Sequence, residues 1–167
     1  MNQRVVPFLQ AFIAGFVSTL VFHQGVLALL YLASAVAHAA YDLQAVPPLG
    51  LPAVISLAFW GGVWGAALWL LLKHVGGVAY WVWAVVIGAI GPSAVALFIV
   101  YPLKGMPVAG GWDPKLLGTA LLLNGAWGLG LALLMRLLHH APSRGDAGTR
   151  QAPHLEPIRI TPRRGTR

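Results

Sequence analysis

His23 and Gln24 stand side by side midway along the first long apolar stretch of this 167-residue chain, and Asn124 stands midway along the last. An ionisable residue at membrane depth points first to function: a proton relay, a haem ligand or a quinone contact. A haem held between helices calls for two axial histidines, and only one is found at that depth. The structural reading has His23 and Gln24 bonding to Asn124, Thr19 or a backbone carbonyl across a helix interface. Asn124 resembles the lone polar residue that sets register in a helical core. Its interhelical hydrogen bond would contribute about 0.6–2 kcal/mol, and the alternative is a place on a pore.

The remaining polar residues offer less. His74, His139 and His140 fall near one membrane boundary, where three imidazoles can hold a metal, but no local spacing requires it. Neither metal nor other cofactor is expected. His38, Tyr41, Asp42, Lys104 and Asp113 are acid–base types in loops, with no paired carboxylates and no nucleophile motif among them. Catalysis requires such groups within hydrogen-bond reach of one another, so the chain reads as non-enzymatic. The absence of cysteine excludes disulfides, thiol catalysis and zinc–thiolate sites.

The elements that must position these residues are membrane helices. Hydrophobic residues make up 58% of the chain and charged residues 9%, with a mean hydropathy of +0.75. A soluble domain needs more charge to cover its surface. Four runs reach the roughly 18–20 apolar residues of a bilayer span: about 8–36, 52–72, 79–101 and 116–138. The fold class expected is all-α, with a four-helix transmembrane domain over residues 1–140. The first run exceeds the roughly 7–15 residues of a secretory h-region, so it is expected to remain as a span. Residues 141–167, rich in Pro, Gly and Arg, read as a disordered basic tail.

Small residues mark where helices approach closely. Ala11, Gly15, Thr19 and His23 recur at four-residue spacing on the first helix. Ala58, Gly62 and Ala66 do so on the second, flanked by the Gly61 and Gly65 pair. Ala120, Asn124, Gly128 and Ala132 form the stripe of the fourth, beside Gly125. From Gly62 to Lys73 against Gly125 to Arg136, six of twelve positions are identical, including both glycines and the tryptophan of G-x-W-G. An offset of 63 residues therefore predicts two tandem helical hairpins, related by an axis along the membrane normal, and it places Gly25 on Gly88. The Asn124–Gly128 stripe is expected to face the Ala11–His23 stripe. Pro92 predicts a kink near Gly88, with Ser93 satisfying a freed carbonyl.

Basic residues set the orientation. Arg4, Lys73, Arg136 and six tail arginines share one side, against Lys104 and Lys115 on the other. Both termini are thus expected in the cytoplasm. The runs H-Q-G at 23–25, F-W-G-G-V-W-G at 59–65, P-L-K-G-M-P-V-A-G-G-W-D-P at 102–114 and N-G-A-W-G-L-G at 124–130 carry a resemblance. Over about residues 8–138 the chain resembles small four-helix inner-membrane proteins of proteobacteria that have no assigned activity. It does not resemble the small multidrug exporters, whose first helix needs an embedded glutamate. The expected role is an accessory or structural subunit in a homo- or hetero-oligomer, with the bilayer as its surroundings. The tail is placed to touch anionic lipid, and no nucleic-acid partner is expected. A small channel or transporter with His23, Gln24 and Asn124 on its path is the alternative, and a haem- or quinone-contacting subunit the third.

Overall fold

The computed structural model describes residues 5–140, and the expected tail lies outside the described residues. Four helices dominate: α1 (Val5–Leu32), α2 (Ala53–Leu72), α3 (Gly77–Leu103) and α4 (Pro114–His140). Each is long and apolar enough to cross a membrane. Their boundaries follow local chemistry. α1 stops at Leu32, short of the expected residue 36, because Ser34 adopts a left-handed φ of 57°. Ser34 N–H then donates to Tyr31 O and Ala35 N–H to Leu30 O, which closes the helix in a Schellman arrangement. Gly77, with φ of 60°, opens α3 after a tight turn. The loop between α1 and α2 carries a small antiparallel ribbon, β1 (Ala45–Val46) on β2 (Leu51–Pro52).

Two helices contain a widened π-helical turn, Thr19–His23 in α1 and Ala96–Val100 in α3. The irregularity in α3 thus lies one turn beyond Pro92, whereas the sequence predicted a kink near Gly88. Ser93 also differs from expectation, since its hydroxyl oxygen accepts a hydrogen bond from the Asn124 amide at 2.9 Å.

Packing is organised by glycine. α1 lies antiparallel on α2, α3 lies antiparallel on α4, and α1 also meets α4; α2 and α3 touch more lightly than these pairs. At the α1–α2 crossing a Cβ on Gly15 would overlap the Gly61 carbonyl and stand 2.9 Å from the Gly65 Cα, while one on Gly65 would stand 2.6 Å from the Ala11 carbonyl. At the α3–α4 crossing a Cβ on Gly128 would overlap the Ala84 carbonyl, and one on Gly88 would stand 2.8 Å from the Gly128 Cα. Backbones this close gain dispersion and Cα–H···O contacts that any larger side chain would abolish. The facing expected between the α1 and α4 stripes holds only at Trp127, whose indole reaches Gly15, and is corrected for Asn124 and Gly128. Ala11, Gly15 and Thr19 face Gly61 and Gly65 of α2, and Gly128 faces α3. Gly62 seats the Phe12 ring, and Gly125 makes only ordinary contacts with Val85 and Ala89.

The buried core is built largely from small residues, Ala11, Ala14, Ala84 and Ala132 among them, with Leu68, Leu131, Met135 and Trp127 filling between. Many of the large residues, including Leu32, Trp60, Leu71, Ile90 and Leu137, point outward. Close approach of small residues, rather than bulk, therefore marks what lies inside.

Gly128→Ala should destabilise the protein by about 1–3 kcal/mol, because the α3 backbone must move to admit the methyl group. Gly118→Ala, in open space on the same helix, should be neutral or gain up to about 1 kcal/mol. Unfolding in mixed micelles measures both, and equal stability of the two variants would contradict the crossing.

Candidate functional site

The polar side chains inside the bundle fall into three sets. The first joins α1 to α4. Trp127 is 2% exposed, and its indole N–H donates to the Gly15 carbonyl at 3.0 Å. Ser18, fully buried, returns a hydrogen bond from its hydroxyl to the Trp127 carbonyl at 2.7 Å. Thr19 donates to the same Gly15 carbonyl at 3.0 Å. An indole N–H in an apolar interior must find an acceptor, and here it finds one on a backbone stripped of side chain. Gly130 makes room beside it for Phe22 and Ser18.

The second set ties α1 to the loop that follows it. The Gln24 side-chain oxygen accepts the backbone N–H of Tyr41 at 2.8 Å, and the Tyr41 hydroxyl donates to the Leu20 carbonyl at 3.0 Å. Leu20 lies within the widened turn of α1, where the regular hydrogen-bond ladder is interrupted. The loop therefore folds back to serve the helix. Gln24 Nε2 approaches His23 Nδ1 at 3.5 Å, the outer limit for a hydrogen bond.

The third set is Asn124 with Ser93, joining α4 to α3. Thus His23 and Gln24 adjoin each other, but Asn124 is engaged elsewhere, and among the described residues no hydrogen bond joins it to either. Sequence reasoning passed over Ser18, Ser93 as an acceptor and the indole of Trp127, and it named Tyr41 only as an acid–base type in a loop. Their signal was present only in part: G-x-W-G singles out Trp127, while Tyr41 stands in a loop whose path no periodicity reveals.

A cavity of about 300 Å³ opens at the end of the bundle where α2 turns into α3, bounded also by the last turns of α4. Its rim carries Lys73 and Arg136, the two cations matched in the sequence. The Lys73 ammonium lies 5.8 Å from the Trp69 ring centre and the Arg136 guanidinium 4.7 Å from that of Tyr80, whose hydroxyl donates to the Ala132 carbonyl. Apolar Leu68, Leu72, Leu131 and Met135 line its depth. None of His23, Gln24 and Asn124 borders it. His74 is exposed nearby in sequence, and no cluster of three metal-ligating side chains occurs among the described residues. No protein-family model matches the chain, and no curated protein or solved structure matches it either.

A double-mutant cycle of Asn124→Ala with Ser93→Ala should give a coupling of about 0.6 kcal/mol, with roughly 1.7 as its ceiling. The cycle of Asn124→Ala with His23→Ala should give none. Coupling in the second cycle, measured by the same micelle unfolding, would rejoin the three residues into one cluster.

Proposed function

We propose that the chain is a small non-enzymatic integral membrane protein, an accessory or structural subunit that works in a homo- or hetero-oligomer. The observation that carries this reading is how the polar residues of the helices are engaged. Ser18, Thr19, Gln24, Ser93, Asn124 and Trp127 each bond to another part of the same chain. The Thr19 bond stays within α1, and the others join helix to helix or loop to helix. A bound substrate or a conducted ion would require such groups turned toward a shared chamber. Broad outward faces, with Phe59 and Trp60 in edge contact on α2, suit lipid or neighbouring helices.

We read the four helices as two tandem hairpins, α1–α2 and α3–α4. The two glycine crossings support this, since Ala11 and Gly15 meet Gly65 as Ala84 and Gly88 meet Gly128. The second helices correspond at an offset of 63 residues and the first helices at 73. Residues 33–52, between α1 and α2, are ten more than residues 104–113, between α3 and α4, which accounts for the difference. On this correspondence Gly15, not Gly25, is the counterpart of Gly88. The location is a bacterial inner membrane with both termini in the cytoplasm, on the strength of the basic residues at that end.

Extraction with native lipid, followed by light scattering and mass spectrometry, should find either a defined self-assembly or a recurring membrane partner. A lone monomer would overturn the accessory role. The chain has no cysteine, so single-cysteine labelling tests orientation directly. Leu43→Cys should react with an impermeant maleimide in spheroplasts, and His74→Cys only after lysis. The reverse pattern would invert the topology.

A further inference from the structure

We infer that residues 36–44 form a strap that opens and closes over Gln24 and His23, with Tyr41 as its catch. The structure holds the closed state, in which Gln24 is buried; the open state admits water to the pair. The inference goes beyond the accessory role and rests only on the membrane-spanning part of the proposed function.

Placement is the first support. His23 and Gln24 stand midway along their apolar run, yet the fold sets them toward the loop end of α2. Thr19 meets Gly61 where α1 crosses α2. The two helices are antiparallel, so Gln24, five residues further along, falls beside the first turns of α2. The strap confirms that level. Tyr41 bonds to α1, while the neighbouring Asp42 carbonyl accepts the Val54 N–H at the start of α2 at 3.0 Å. Asp42 and Gln44 are exposed, and Tyr41 is nearly half exposed, so a single layer of polar loop covers the pair.

The second support is how few bonds hold that layer to α1. Among the described residues, Tyr41 supplies both hydrogen bonds that residues 36–52 make to α1. Its N–H donates to Gln24 Oε1 at 2.8 Å and its hydroxyl to the Leu20 carbonyl at 3.0 Å. Residues 36–40 make none with the rest of the described chain. Beyond Tyr41 the strap is tied to α2 instead. Val54 N–H reaches the Asp42 carbonyl, Ala53 N–H reaches the Gln44 carbonyl, and Gln44 N–H reaches Asp42 Oδ1. The strap can therefore leave α1 without leaving α2.

The third support is the conformation of the catch. Tyr41 holds a φ of 60°, in the left-handed region where an L side chain crowds its own backbone. Such a conformation persists only while surrounding contacts impose it. Once both bonds break, φ returns to negative values and Tyr41 turns away from α1. What it uncovers is an amide that needs a partner. Gln24 is 4% exposed. Among the described residues, Tyr41 N–H is the sole donor to its oxygen, and its nitrogen has only His23 Nδ1 at 3.5 Å. A buried amide that loses its donor must find another, and beneath an open strap water supplies it. Closed and open states each leave Gln24 satisfied, which lets both be populated.

The test follows the Tyr41 amide by hydrogen exchange, resolved by NMR with the full chain in phospholipid nanodiscs. Tyr41→Phe removes only the hydroxyl. The amide of residue 41 should nevertheless exchange roughly two- to tenfold faster, the effect of one net hydrogen bond on opening. The amides of Gly88 and Gly128, at the other crossing, should keep their rates. Thiol labelling reads the uncovered pair. The chain has no cysteine, so His23→Cys introduces a lone thiol. A hydrophilic maleimide should modify it slowly, and faster by the same factor when Tyr41→Phe is added. Leu43→Cys, on the exposed strap, should react at one rate with or without Tyr41→Phe. An unchanged rate at residue 41 would show that the two bonds break independently. Equal acceleration at Gly88 and Gly128, or at Leu43→Cys, would show general loosening. A thiol at residue 23 that never reacts would show that water does not enter. Each of these results overturns the strap, and the last needs no change at Tyr41, so it decides even if Tyr41→Phe fails to fold. A chain that enters no bilayer overturns the membrane reading instead.

Discussion

The reciprocal bond between α1 and α4 is the constraint on which the rest of the bundle depends. In an apolar interior an indole N–H or a serine hydroxyl without a partner costs several kcal/mol, so each position that carries one has little freedom. Trp127 reaches the Gly15 carbonyl and Ser18 reaches the Trp127 carbonyl. The two bonds fix both the rotation and the axial register of α4 against α1. Gly15 is at the same time the point where α1 crosses α2 most closely. One glycine therefore serves two interfaces: its missing side chain admits α2, and its uncovered carbonyl receives the indole.

From that centre the arrangement follows. α1 is committed to α2 through Gly61 and Gly65, and α4 to α3 through Gly88 and Gly128. The remaining pair, α2 with α3, must accept whatever spacing those contacts leave. Trp64 packs on Gly91 across part of the seam, and a small apolar void lies between Trp64, Pro92 and Trp127. Toward the α2–α3 turn the seam opens into the larger cavity. A polar lining at that end is tolerable because it lies at the helix ends, where solvent can reach it.

Much of this was legible in sequence, and the misses share one cause. Helix number and approximate extent followed from long apolar runs, which backbone hydrogen bonding in lipid makes nearly compulsory. Gly15, Gly61, Gly65 and Gly128 were recognisable as contact residues from spacing alone. Their partners were not, because a small-residue stripe states that something approaches without naming what. So Asn124 was matched with His23, when Ser93 held it. Tyr41 and Gln24 meet through a loop whose return path is set by turns such as the left-handed Ser34 and Tyr41, neither of them glycine. The ribbon of Ala45–Val46 with Leu51–Pro52 is too short to leave an alternating pattern.

On the proposed hairpin correspondence the two crossings differ, and the difference is steric. In the first half Thr19 of α1 stands against Gly61, and its hydroxyl occupies the place a Cβ at residue 61 would take. That hydroxyl is already bonded to the Gly15 carbonyl of its own helix, so the polar group enters the crossing fully satisfied. The residue matching Thr19 at an offset of 73 is Pro92, which has neither a hydroxyl nor a backbone donor. The residue matching Gly61 is Asn124, whose amide crosses to Ser93. Each crossing thus holds one polar side chain opposite a residue that leaves it room. In the first half it comes from the first helix and in the second from the second helix. An asparagine at 61 would collide with Thr19, whereas an asparagine at 124 has both space and an acceptor. Gly61 beside Thr19 and Asn124 beside Ser93 are thus two different ways of seating one polar side chain at a helix crossing.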